Sequence, residues 1–158
     1  MTVFDGEFTL GVEANEEVRN LLKGLNRTRR VKRKVDELIY GVEGEFYFED
    51  DEETIVDGNK PPGKQPGLWC GWQLEDDDLT IVWDGSEKFY EYTEWLVYII
   101  ERVLKPRHYI LNGTAYWDGE SSCDYGKIEV VNNVVYSTPG VMEYPKQNRK
   151  RWSIHDIL

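Results

Sequence analysis

The chain has 158 residues, a net charge of −11, and 40% hydrophobic and 13% aromatic side chains. That is length and apolar material enough for one core without staples, which excludes global disorder and a disulfide scaffold. An acidic body repels nucleic acid at long range, so a general DNA- or RNA-binding role is disfavoured. The distribution says more than the total. Residues 35–145 hold 24 acidic and 7 basic side chains, a net of −17, whereas the flanks hold 12 basic and 6 acidic, a net of +6. Cys70 and Cys123 are the only cysteines and have no metal-knuckle spacing, so both are read as buried free thiols.

The chain starts Met-Thr-Val-Phe-Asp-Gly-Glu, without the basic region and apolar run of a signal peptide. Residues 2–12 read as a strand or short hairpin about Asp5-Gly6. Asn15 is a fair N-cap, followed by Glu16 and Glu17, and Val18, Leu21, Leu22 and Leu25 keep helical spacing. Thr28 predicts the cap of a second helix with an apolar stripe of Val31, Val35, Leu38 and Ile39. The basic residues Arg27, Arg29, Arg30, Lys32, Arg33 and Lys34 would then be its wet face.

Phe46 and Phe48 alternate with polar neighbours and predict a strand, while the prolines and glycines of 57–67 predict an extended loop. Strands follow at 68–74 and 79–83, joined through Glu75–Asp78. Ser86 can cap a long helix to about Lys105, ended by Pro106. In it Phe89, Tyr92, Leu96, Ile99 and Val103 form the buried line, and Tyr90, Trp95 and Tyr98 fall off it, the better candidates for exposure unless the sheet covers them. Strands at 109–117, 127–131 and 133–136 complete a meander with a turn at Asn132-Asn133.

The expected fold is therefore α+β: an antiparallel sheet of about five to seven strands with one long helix packed on it and one or two N-terminal helices. One domain is expected over 1–158, with a helical part at 14–40, the sheet and long helix at 44–138, and a tail at 140–158. The most apolar helix candidate has an uncharged run only from Trp95 to Ile100, far short of the ~20 residues that cross a bilayer. The expected location is the cytoplasm.

Several segments occur in a distinctive order: Asn59-Lys-Pro-Pro, Gln65-Pro-Gly-Leu-Trp-Cys-Gly-Trp72, Trp83-Asp-Gly-Ser-Glu-Lys-Phe-Tyr90, Trp95-Leu and Leu111-Asn-Gly113. Trp117-Asp-Gly-Glu120, Asp124-Tyr-Gly-Lys-Ile128 and Asn133-Val-Val135 complete the series. Together they resemble an uncharacterised family of small proteins associated with bacteriophage and prophage genomes. The resemblance covers about half the chain and implies an origin rather than an activity.

No residue pattern marks an enzyme. Cys123 with His108 or His155 would be the natural nucleophile pair, yet nothing in the sequence unites them. Glu120 and Asp124 bracket a turn and could serve as acid and base, the basis of an alternative small-hydrolase reading. Neither a zinc site nor a calcium loop is expected, and Asp76-Asp77-Asp78 lacks the alternating ligand spacing. No cofactor is expected.

The acidic residues instead suggest a partner surface. Glu87, Glu91, Glu94 and Glu101 fall on one face of the expected long helix, and Asp50, Asp51, Glu52, Asp76, Asp77 and Asp78 could extend it. The leading expectation is a phage-derived protein that binds and inhibits or modulates a basic, nucleic-acid-handling host protein, including a defence enzyme, by surface or DNA-like charge mimicry. A further alternative is a replication-accessory module touching nucleic acid through Arg27–Lys34.

Overall fold

A computed structural model describes residues 1–157. Alternating side chains decide which face of each strand turns inward. In β1 (Val3–Thr9), Phe4 and Phe8 are buried while Val3, Asp5, Glu7 and Thr9 are exposed. Inward residues are likewise buried in β4 (Trp72–Leu74), β5 (Thr80–Trp83), β6 (Asn112–Asp118) and β7 (Tyr125–Val131), whereas β8 (Val134–Pro139), at the edge, has only half-buried Val135 turned inward. The six strands form one antiparallel sheet in the order β4-β5-β1-β6-β7-β8. The fold is α+β, as expected.

Of the two readings of residues 2–12, strand or hairpin about Asp5-Gly6, the structure has the strand, centrally placed in the sheet. Gly6 is there for proximity rather than for a turn. It pairs with Ala115, and a Cβ on it would collide with the Thr114 carbonyl, just as one on Gly113 would collide with that of Glu7. Both glycines have positive φ, 125° and 148°, a conformation that costs an L side chain strain. The final hairpin closes on Asn132 and Asn133, both with φ > 0, the requirement of a two-residue primed turn.

Helix α1 (Glu16–Arg27) begins where expected: Asn15 Oδ1 accepts from the Val18 amide at 2.9 Å, and Glu16 and Glu17 lie in the first turn. Its Val18, Leu22 and Leu25 join the sheet's inner face in one hydrophobic core. The expected helix after Thr28 does not form. Thr28 instead terminates α1, its hydroxyl donating to the Gly24 carbonyl. The chain then runs through a two-residue strand, β2 (Lys32–Arg33), which pairs with β3 (Ile55–Asp57). Only α2 (Glu37–Tyr40) is helical, capped by Asp36, and Leu38 of the supposed stripe is 98% exposed. Nor do Phe46 and Phe48 form a strand; they pack against the core from an irregular stretch.

The long helix starts later than expected. Its regular part, α3, spans Tyr92–Ile99 and continues through a π-helical turn at Ile100–Leu104 and a 3₁₀ turn at Lys105–Arg107. Residues 86–91 stay irregular because Lys88 takes φ 56° and Phe89 is drawn into the core against Phe4 and Trp72. At the far end Pro106 cannot donate to the Arg102 carbonyl. The Arg107 Nη1 does so instead, bonding the carbonyls of Arg102 and Val103 at 3.1 Å each. Phe89, Leu96, Ile99 and Val103 are buried as expected. Of the three candidates for exposure Tyr90 is exposed, while Trp95 and Tyr98 are buried, Tyr98 under hydrogen bonds to Glu45 and Gln65 of the 45–66 segment. Among the described residues no helix is long and apolar enough to cross a membrane.

Candidate partner-binding groove

The segment between α1 and β4 has few regular elements, and Phe46 and Phe48 pack it on the core. Its anchor is a buried polar network. Glu45 is almost fully buried, and its carboxylate receives Arg102 in a two-point fork, Nε to Oε1 and Nη2 to Oε2, at 2.9 Å each. The Tyr98 hydroxyl donates to Oε1 at 2.9 Å and the Val42 amide to Oε2 at 3.0 Å. Gln65 Nε2 donates to both the Glu45 carbonyl and the Tyr98 oxygen, and its Oε1 accepts from Arg30 Nε at 3.0 Å. Arg30 is buried in turn, and its other nitrogens reach the carbonyls of Glu45 and Tyr47. Every lone pair and proton that burial would orphan finds a partner, the condition for a buried ion pair to be tolerated.

The environment shifts these groups in opposite senses. Burial lowers the Arg30 guanidinium to about 10. Burial, helped by the neighbouring Glu45 carboxylate, pushes the Tyr98 phenol well above its usual range. Hydrogen bonding to Glu45 raises Arg102 above its usual range. Arg30 and Arg33 are therefore structural, not part of a wet helical face. Arg33 is nearly buried over the Tyr47 ring and donates to the Asp51 carbonyl and Thr54 hydroxyl.

Above this network lies a groove of about 570 Å³ lined by Lys64, Pro66, Glu94, Val97, Tyr98, Glu101 and Arg102. It adjoins a recess of about 270 Å³ bordered by Val42, Glu45, Gly63, Lys64 and Arg102. Val97 is half-exposed between Glu94 and Glu101, which lie seven residues, or about 10 Å, apart along the helix axis. Glu94 has no ion-pair partner among the described residues, and Glu101 is held only by exposed Lys105 at 3.0 Å. The groove thus offers apolar walls, a fixed floor and a free carboxylate, together with the cation of Lys64. Sequence reasoning placed Glu94 and Glu101 there but missed Val97, Glu45 and Gln65. Only the i, i+3, i+7 spacing of Glu94, Val97 and Glu101 could have pointed to the first.

The other expected site residues do not join them. Glu87 lies in the irregular stretch before α3, beside a recess lined by Trp69, Cys70 and Asp84. Glu91 precedes the helix with non-helical backbone, its carboxylate set against Gly67. The four-residue acidic face is therefore corrected to two residues. Asp77 is turn chemistry: its carboxylate accepts from Thr80 and from the Leu79 amide, which holds it below the usual carboxylate range. Asp78 pairs with Arg19 in the first half of α1, and Asp76 is exposed between Glu75 and Asp77. Asp51 accepts from the Tyr47 hydroxyl, and exposed Glu52 opens a 3₁₀ turn. Asp50 borders a cleft with Arg27 and Arg29 at the opposite end of α1 from Asp78.

The residues of the catalytic alternatives have other partners. Glu120 pairs with the N-terminal amine at 2.8 Å, and Asp124 accepts from Trp117 Nε1 at 3.0 Å. Cys123 is exposed rather than buried, because it sits in the β6–β7 turn, and no histidine is hydrogen-bonded to it among the described residues. Cys70 is buried as expected, and burial pushes its thiol up to about 12. Among the described residues no cluster of three or more His, Cys, Asp or Glu is placed to hold a metal. In comparisons with known proteins, no family model, no curated protein and no solved structure matches this chain.

Proposed function

We propose that the chain is a non-catalytic binding protein whose α3 groove takes a partner segment with apolar and basic side chains. The observation that carries this is the groove itself, with Val97 and Pro66 in its walls, Glu94 and Glu101 beside them and a rigid hydrogen-bonded floor. Concave, largely apolar surfaces with a few fixed polar groups are where proteins hold ligands. The net charge of −11 supports a basic partner, because complementary charge steers encounter. The ordered motifs from Asn59 to Val135, with their resemblance to phage- and prophage-associated proteins, support a host protein as that partner and the host cytoplasm as the place of action. A nucleic-acid-handling defence enzyme has the required surface chemistry, and occupying it would inhibit or modulate it. Two helix carboxylates about 10 Å apart are too sparse to copy DNA phosphates at ~3.4 Å per strand. The proposal therefore rests on fit to the groove and not on duplex imitation.

Affinity capture from host lysate followed by mass spectrometry identifies the partner. Titration calorimetry against that purified partner then compares wild type with Val97→Asp and with Glu94→Gln/Glu101→Gln. The expected result is a loss of about tenfold or more for Val97→Asp, since truncating or charging a central anchor commonly costs over 1 kcal/mol. The double glutamine variant should show a slower, less salt-sensitive association. Wild-type binding by both variants would remove the groove from consideration.

A further inference from the structure

Among the described residues, none of the side chains that β1, β6, β7 and β8 turn away from the core is buried. Opposite the core, neighbouring strands align Asp5 with Tyr116 and Lys127, and Glu7 with Thr114, Glu129 and Tyr136. Tyr116 and Tyr136 are more than half exposed. Asp5, Glu7 and Asp118 have no ion-pair partner among the described residues, and the only cation on these rows, Lys127, is paired with Glu129 at 3.1 Å. The face is therefore acidic and partly aromatic, open from β1 to the free edge at β8.

Residues 141–157 have the opposite character. They follow β8 and are exposed throughout, including Val141, Met142, Tyr144, Trp152, Ile154 and Ile157. Four cations, Lys146, Arg149, Lys150 and Arg151, outnumber Glu143 and Asp156. Every hydrogen bond this segment makes among the described residues stays within it, and Lys150 lies 3.7 Å over the Trp152 ring. So much exposed apolar surface on one short segment marks an interaction site.

We propose that the tail of one molecule docks on the open sheet face of a second copy, its cations meeting Asp5, Glu7 and Asp118 and its apolar side chains covering Tyr116 and Tyr136. Charge complementarity selects this occupant. The tail is the most basic stretch after Lys34, and among the described residues it makes no hydrogen bond or ion pair with its own face. Reciprocal docking of two tails makes a closed two-fold pair in which each copy gives and receives the same contact. The interface shares no residue with the α3 groove and forms without any partner, so it and the proposed function fail separately.

Sedimentation velocity on the full chain tests it. At roughly 100 µM protein and about 50 mM salt, where the screening length exceeds 10 Å, a dimer is expected, and it should dissociate toward monomer near 1 M salt. Lys150→Glu/Arg151→Glu and Asp5→Lys/Glu7→Lys should each give monomer with an unchanged circular dichroism spectrum. Mixing the two variants should restore association between them. A bismaleimide should link Ile154→Cys in one copy to Tyr116→Cys in another, both in a Cys123→Ser background. Monomeric wild type under all these conditions would overturn the proposal, as would a cross-link formed only within single chains.

Discussion

The six-stranded sheet and the 28–68 segment are held by opposite means. The sheet's inner face is aromatic and aliphatic, with Phe4, Phe8, Trp72, Ile81, Ala115, Trp117 and Ile128 buried. Among the described residues the buried polar or charged ones, Arg30, Arg33, Glu45 and Gln65, belong to the other segment. Apolar burial is non-directional and tolerates repacking, whereas a buried ion pair holds only when each partner is present. The sheet should thus degrade gradually under substitution, and the segment that floors the groove should detach when one charge is removed.

The sharpest way to break this contrast is Glu45→Ala, which leaves Arg102 and Tyr98 without their acceptor. The expected cost is about 3–5 kcal/mol, lower to the extent that half-exposed Arg102 recovers water. Hydrogen exchange should show amides of 41–67 losing protection while β6 and β7 keep theirs. Leu96→Ala removes a fully buried side chain of α3 and should cost about 2–5 kcal/mol. Here the loss should appear across both regions together. Gly6→Ala is a narrower probe of the sheet: strain and the clash with Thr114 should cost roughly 1–3 kcal/mol by chemical denaturation.

Alkaline pH acts on buried groups with opposite signs. The Cys70 thiol ionises near 9 in the unfolded chain and about 12 in the fold. Its contribution is complete below pH 9 and is lost as pH rises toward 12. Tyr98, also raised, acts in the same direction. Arg30, lowered to about 10, opposes them only above that pH, where the unfolded chain keeps its proton longer. Urea midpoints should fall from pH 9 upward, with a shallower slope in Cys70→Ala. The smallest effect is expected from Glu94→Gln/Glu101→Gln, which should change stability by no more than about 0.5 kcal/mol because both carboxylates are exposed.

The contrast also explains what could be read from the sequence. Strand alternation, the Asn15 cap and the Asn132-Asn133 turn are local, and each was legible as written. The network joins positions far apart, Arg30 to Gln65 and Glu45 to Arg102, and no local spacing announces such pairs. A run of Arg and Lys after Thr28 therefore looked like a wet helix although two of its members are buried. The start of α3 was hidden for a related reason. Ser86 and Glu87 have the right chemistry for a helix start, but Phe89 is held by long-range core contacts that keep the chain irregular until Tyr92. Of the acidic surface, Glu94 and Glu101 were found because they lie on the truly helical turns, and Glu87 was misplaced because it does not.

Hydrogen exchange on this chain, alone and with the host protein it captures, tests the groove most directly. Slowed exchange is expected in residues 63–66 and 94–102, with β1 and β6 unchanged beyond any self-association seen in the free protein. Protection confined to the outer sheet face, or to the cleft beside Arg27 and Arg29, with none around Val97, would contradict the assignment of the groove as the binding site.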